Sequence, residues 1–207
     1  MTSPVSTPAA AGRRPGRPRQ EDIEERAIAA TLALVDAGEA ITLNRVVATS
    51  GVSRAAVYRR WPSLTALLAA ALDHGRTTPD VAPGGSLRER LLGTYLTGAS
   101  EALRDYPDGR FRRRLALGLA DRELQTTYWE SHAHRRREPV TALLRDGVAR
   151  GELRADLDVE AAIDLINGVF YYQVVVRGDS VTDPSVQARC AAALDVVWRG
   201  IVAPGTA

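Results

Sequence analysis

The stretch Ile41-Thr42-Leu43-Asn44-Arg45-Val46-Val47-Ala48-Thr49-Ser50-Gly51-Val52-Ser53-Arg54-Ala55-Ala56-Val57-Tyr58-Arg59-Arg60-Trp61 contains one short device twice. Thr42 is a good helix N-cap, and Ile41 before it can pack on Val46, forming a hydrophobic staple. Ser53 repeats the cap, and Val52 before it can pack on Val57. Gly51 stands between the two helices, where a tight turn favours a residue free to adopt positive φ. Two short capped helices joined through a glycine predict a helix-turn-helix, whose second helix enters the major groove of DNA by its N-terminal end.

The second helix has the side chains for that task. With Val52 and Val57 turned inward, Arg54, Ala55, Ala56, Tyr58 and Arg59 are expected on the outer surface. The alanines keep the helix thin and can touch a thymine methyl, and Arg54 or Arg59 can grip a guanine bidentately. Tyr58 can reach a phosphate or a base edge. The competing reading of this segment is an αα-hairpin with a solvated basic face.

Outward from this unit, Trp61-Pro62-Ser63 leads into another helix, whose N-terminus can present free N–H groups to a phosphate, with Ser63 and Thr65 beside it. Upstream, Gly12-Arg13-Arg14-Pro15-Gly16-Arg17-Pro18-Arg19 forms a basic arm. Its prolines keep it extended, and arginine is the side chain that narrow A·T-rich minor grooves attract.

Residues 20–70 resemble the DNA-binding domain of the TetR family of bacterial regulators. Thr42, Val46, Gly51-Val52-Ser53, Val57-Tyr58, Trp61-Pro62-Ser63 and Leu67 carry the likeness. The basic arm points to DNA contacts from Arg13, Arg14, Arg17 and Arg19, and the helix-turn-helix with its likeness to contacts from Thr42, Arg45, Ser53, Arg54, Ala55, Ala56, Tyr58, Arg59, Ser63 and Thr65. The likeness also implies a homodimer on a near-palindromic operator, released by a small-molecule effector. Two departures stand out: Val47 where the family usually has alanine, and Leu64 where it commonly has a phosphate-binding lysine. Without that lysine, the predicted salt slope is lower by about one per half-site and the reliance on the arm is heavier.

The rest of the chain reads as helical, and the fold class is all-α: a helix-turn-helix domain plus a larger helical ligand-binding and dimerisation domain. The expected division is a flexible arginine-rich arm over 1–20, a DNA-binding domain over 21–75 and a helical domain over 76–207. Gly38 is placed to stop the first helix, which carries Ile23, Ala27, Ala30, Thr31, Leu34 and Val35 on one face. Gly75 to Gly85 reads as a loop. Beyond it, helices are predicted from Leu87 to Leu103, Phe111 to Leu119, and Glu123 to Arg150 with a kink or break at Pro139. Asp158 caps another, running to Arg177, and Pro184 or Ser185 opens the last, to Val202. The segment 147–172 is similar to the turn and dimer helix of some actinobacterial members of the family.

The last two helices carry wide apolar faces, which predict a four-helix dimer interface through Ala162, Leu165, Ile166, Val169, Gln173, Ala188, Ala191, Asp195 and Trp198. The alternative is burial within one protomer. Tyr95, Phe111, Tyr128, Trp129, Phe170 and Tyr171 are candidate ligand contacts, although aromatic residues at helical spacing also make plain core. Arg135-Arg136-Arg137 and Arg112-Arg113-Arg114 read as solvated faces, with an acidic ligand or partner as the alternative.

Composition bounds the function classes. Apolar residues form 45% and charged residues 25% of the 207, which suits a chain that buries a real core. All 27 basic residues are arginine, so every cationic phosphate contact must use a guanidinium. The net charge of +2 is too small for indiscriminate nucleic-acid binding. No apolar run approaches the roughly 18 to 20 residues of a membrane span, and no secretory leader is evident, so no membrane partner and a cytoplasmic location are expected.

Cys190 is the only cysteine, which excludes an intrachain disulfide. His132 and His134 are two apart on a helix and do not share a face, so no metal site is expected. Without a nucleophile motif or a Gly-rich phosphate loop, neither catalysis nor a cofactor is expected. Two rivals remain: a DNA-binding protein of this fold without a small-molecule inducer, and a ligand-binding protein that no longer reads DNA.

Overall fold

The computed structural model describes residues 20–78, 80–98 and 106–205. All regular structure among them is helical, apart from an isolated antiparallel bridge between Leu153 and Val202. Helix α1 (Gln20–Ala37) buries Ala27, Ala30, Leu34 and Val35, and its buried Thr31 hydroxyl donates to the Ala27 carbonyl at 2.8 Å. It stops at Gly38, whose φ of 70° is the left-handed conformation expected there.

Helices α2 (Leu43–Ser50), α3 (Arg54–Arg60) and α4 (Leu64–Asp73) each begin at a side-chain cap. Thr42, Ser53 and Ser63 accept from the backbone N–H groups of Arg45, Ala56 and Ala66. These hydroxyls satisfy donors that a helix N-terminus otherwise leaves orphaned. Gly51 joins α2 to α3 with φ 65°, and Val46, Val57 and Leu67 close the core between the helices.

The remaining chain builds a second helical layer. Helix α5 (Leu87–Gly93) starts with a reciprocal Ser86–Glu89 capping box and runs into a π-helical turn over Thr94–Gly98. Helices α6 (Asp108–Ala120) and α7 (Arg122–Tyr128) meet at Asp121, which caps α7. Helix α8 (Glu138–Ala149) follows, then α9 (Val159–Tyr171), continued by a π-helical turn over Tyr172–Arg177, and finally α10 (Pro184–Ile201). Asp158 caps α9 as expected, and Asp183 caps α10.

The single helix expected over Glu123 to Arg150 is interrupted earlier than Pro139. It breaks into a π turn at Trp129–Ala133 and a 3-10 turn at Arg135–Arg137. Pro139 lies in the first turn of α8, where no intrahelical N–H bond is lost, so it begins a helix instead of kinking one. The Leu103 end of the predicted fifth helix lies outside the described residues.

Three apolar clusters hold the layers. One fills the space between α1 and α4. A second joins α5, α8, α9 and α10 through Leu91, Leu144, Ile163 and Leu194. At Gly147 a Cβ would stand 2.4 Å from the Leu87 side-chain tip and 3.1 Å from Leu153, so both leucines pack closely over this glycine. The third cluster packs Val35, Leu68 and Leu72 against Leu124 and Tyr128, placing α4 between α1 and α7.

One expectation from apolar runs needs correction. The helical stretch Val159–Arg177, 19 residues at mean hydropathy 1.3, is long and apolar enough to cross a membrane by length and composition. Glu160 and Asp164 interrupt the run in sequence, and both are ion-paired to Arg137.

Candidate functional site

Two surfaces and one cavity bring together the candidate functional residues. On α3, Arg54, Ala55, Tyr58 and Arg59 stand exposed while Val57 is buried, and Tyr58 is 52% exposed. Thr42, Arg45 and Ser53 flank them on the outer surface. Arg54 hydrogen-bonds Asn44, Arg45 pairs with Glu39 and Arg60 with Glu24, whereas Arg59 has no partner among the described residues.

Two expected outer positions are less open. Ala56 is half-buried against the core, and Thr65 is half-buried on the first turn of α4. Leu64 packs on the same core, so apolar contact occupies the place of the usual lysine. Arg13, Arg14, Arg17 and Arg19 lie outside the described residues.

The cavity, about 660 Å³, lies among α4 to α10, and Tyr95, Phe111, Tyr128, Trp129, Phe170 and Tyr171 all line it. Tyr95 and Phe170 stack with ring centroids 5.8 Å apart. Burial raises the phenol of Tyr95 to about 12, so it is a neutral hydrogen-bonding group at physiological pH.

The cavity also has a polar wall, which departs from the solvated-face reading of the two arginine runs. Arg76, Arg114, Arg136 and Arg137 line it, so neither run of three arginines is simply a solvated face. Arg114 is only 7% exposed, with its guanidinium over the rings of Phe111 at 4.9 Å and Tyr128 at 5.0 Å. Arg112 and Arg113 turn elsewhere: Arg112 donates to the Gly178 carbonyl at 2.9 Å, and Arg113 to that of Val35 at 3.4 Å. In the run on α6 the helix sends successive residues about 100° apart, so Arg114 faces the cavity while Arg112 and Arg113 leave it, whereas Arg136 and Arg137 both line it. Phe111 and Arg114, three apart, share a face, and that spacing was the available clue.

A hydrogen-bonded knot links this wall to the end of α4. The Tyr128 hydroxyl accepts from Arg76 at 2.7 Å and Arg136 at 2.8 Å, and donates to Asp73 at 3.0 Å. Asp73 also pairs with Arg136 and, at 3.1 Å, with Nδ1 of His132. Burial alone would raise the Asp73 carboxyl, but these hydrogen bonds and the Arg136 charge hold it far below the usual range. His132 is thus engaged with a carboxylate, and no group of three metal-ligating side chains occurs among the described residues.

The second surface lies on α9 and α10. Leu165, 62% exposed, begins a ladder at helical spacing through half-buried Val169 to the exposed Tyr172 and Val176. On α10, Ala188, Ala192 and Val196 are in a second open row, with Ala191 half-buried beside it. Several expected interface residues point elsewhere. Ala162 and Ile166 are in the second core cluster, Gln173 is buried within the protomer, and Trp198 packs on that core. Asp195 pairs with Arg88 of α5. The helical faces were too wide to separate inner from outer residues by sequence, because both sides of α9 are apolar.

Residues 81–193 match the family described as "Tetracyclin repressor-like, C-terminal domain". YdeS of Bacillus subtilis (strain 168), an HTH-type transcriptional regulator, is 30% identical over 179 residues, covering 83% of this chain and 88% of YdeS. Among solved structures, the TetR family transcription regulator SCO0332 superposes with a TM-score of 0.58 at 26% identity, over 84% of this chain and 97% of that one. A TetR family transcriptional regulator from Pseudomonas syringae pv. tomato str. DC3000 does so with a TM-score of 0.59 at 25% identity, over 90% and 97%.

Proposed function

The chain belongs to the TetR family of helix-turn-helix transcriptional regulators, and we propose that it is a cytoplasmic repressor that leaves its operator when a small molecule fills the cavity. In this reading residues 21–75 form the DNA-reading head and 76–207 the sensor and dimerisation part, and the chain has no catalytic role. Arg54, Ala55, Tyr58 and Arg59 meet base edges and phosphates in the major groove, while Thr42, Arg45, Ser53 and the first turn of α4 at Ser63 hold the backbone. The arm from Arg13 to Arg19 adds minor-groove contacts.

The Leu165–Val176 ladder with the Ala188–Val196 row supports pairing with a second copy of the chain. A two-fold pair would set two α3 helices one turn of DNA apart, about 34 Å, on a near-palindromic site.

The observation that carries the reading is the shared wall: Asp73 both ends α4 and anchors the cavity's Arg136 and Tyr128. A ligand that repositions those side chains acts directly on a helix of the DNA head. A second tie runs from α6, where Arg110 grips Asp36 of α1 at 3.1 and 2.5 Å. The cavity weighs against the rival without an inducer, which would leave so large a polar-lined space without a role. The test is binding of the purified protein to DNA upstream of its own gene, with compounds selected by thermal stabilisation added in turn. A specific complex dissolved by a cavity ligand is expected; a complex that no such ligand weakens supports the rival.

A further inference from the structure

We infer that the effector is a small organic carboxylate, held by Arg114 and Arg76 with its apolar body along the aromatic side of the cavity; this rests on the sensor reading above. Four guanidiniums line the space. Arg136 is matched by Asp73, and Arg137 by Asp164 and Glu160. Arg76 and Arg114 have no carboxylate partner among the described residues. The cavity wall therefore carries an unmatched positive charge. Burying a guanidinium without a counter-charge is costly, and the ring contacts of Arg114 offset only part of that cost.

The vacant hydrogen-bonding positions are specific. Nε and Nη2 of Arg114 are buried and have no acceptor. These are the side-on pair of the guanidinium fork, which matches the two oxygens of a carboxylate. The same chain uses this pair of atoms in that manner twice: Arg110 grips Asp36 through Nε and Nη2, and Arg154 grips Asp156 at 2.7 and 2.8 Å. In the cavity the same pair of atoms on Arg114 meets no carboxylate of the described residues.

The local field has the corresponding sign. Burial would raise the phenol of Tyr171, yet the charge of Arg114 and a hydrogen bond from it, with the charges of Arg76 and Arg136, lower it. Arg76 is itself lowered, first by burial and then by its neighbours Arg114 and Arg136, so an anion between them relieves a repulsion. Leu115, Val140, Phe170 and Val174 add apolar lining, and about 660 Å³ accommodates a body of drug-like size.

Matched pairs of acid and primary amide separate the charge from the body. Full-length protein is titrated calorimetrically with 2-naphthoate, 4-phenylbutyrate and octanoate, and with their amides. At least one acid is expected to bind tenfold or more tighter than its amide. Arg114→Gln should remove most of that preference, while Arg122→Gln on the exposed start of α7 leaves it intact. Arg76→Gln provides the same readout if Arg114→Gln misfolds. Amides that bind as tightly as their acids overturn the carboxylate assignment and leave the sensor reading standing. An acid preference that survives both arginine variants also overturns it. If no member of either series binds, the carboxylate and sensor readings fall together.

Discussion

Asp73, the last residue of α4, is ion-paired with Arg136 on the cavity wall, so the helix that follows α3 ends on a charge shared with the cavity. Removing the charge by Asp73→Asn leaves Arg136 underpaired and should cost about 2 kcal/mol of stability at pH 7. The folded carboxyl lies below its unfolded value. Its contribution is therefore complete above about pH 4 and fades as pH falls towards the folded value. Urea unfolding of parent and variant at pH 7, 5 and 3 should show equal gaps at the first two and a smaller gap at the third. A gap that widens at pH 3 contradicts the assignment.

Gly51 has φ 65°, and a Cβ there would lie 2.7 Å from Nη2 of Arg26, which hydrogen-bonds the Ser50 carbonyl. Gly51→Ala is expected to destabilise the head by about 1 to 2 kcal/mol through left-handed strain. Gly109→Ala, in the first turn of α6 with open space around it, should be neutral or slightly stabilising. Chemical denaturation followed by circular dichroism compares the two.

Adjacent residues of α9 should behave in opposite ways. Leu165→Arg alters an exposed side chain and is expected to yield a folded monomer with weak operator binding. Ile166→Ala empties a fully buried site and should cost about 2 to 5 kcal/mol of stability. Sedimentation velocity and thermal unfolding distinguish these outcomes, and a dimer that survives Leu165→Arg rules out this face.

DNA affinity should divide between specific and electrostatic parts. Arg59→Ala, at a guanidinium without a partner among the described residues, should cost about 1 to 3 kcal/mol on the operator if it reads a base. Removing residues 2–19 should lower both affinity and the salt slope, the slope by up to about 0.9 for each phosphate the arm neutralises. Fluorescence anisotropy over a salt series reports both quantities, and an unchanged slope would sink the arm's role.

Arg110 bridges the sensor to Asp36 on α1. Arg110→Ala should leave ligand and operator affinities near parental values while shrinking the drop in DNA affinity that ligand causes. Titrating operator with and without saturating ligand measures that coupling, and full coupling in the variant places the route elsewhere.

The DNA-reading head was legible because its determinants are local. Thr42, Ser53 and Ser63 cap the residues immediately after them, and Gly51 answers a backbone requirement at its own position. The aromatic cavity residues were also legible, since each belongs to a helix that periodicity located. The cavity's charge was not. Arg114 and Arg113 are neighbours in sequence, yet one faces the cavity and the other reaches back to Val35.

By itself the sequence determined an all-α chain, the caps and turn of its helix-turn-helix and the outward faces of Arg54, Ala55, Tyr58 and Arg59. Those follow from periodicity and from hydrogen bonds spanning a few residues. Only the tertiary structure decided which side of α9 is buried, where Arg76 meets Arg114 and Arg136, and that Asp73 connects α4 to the cavity. These depend on side chains brought together from distant segments, where charge is neutralised or left unmatched by packing that no local pattern encodes.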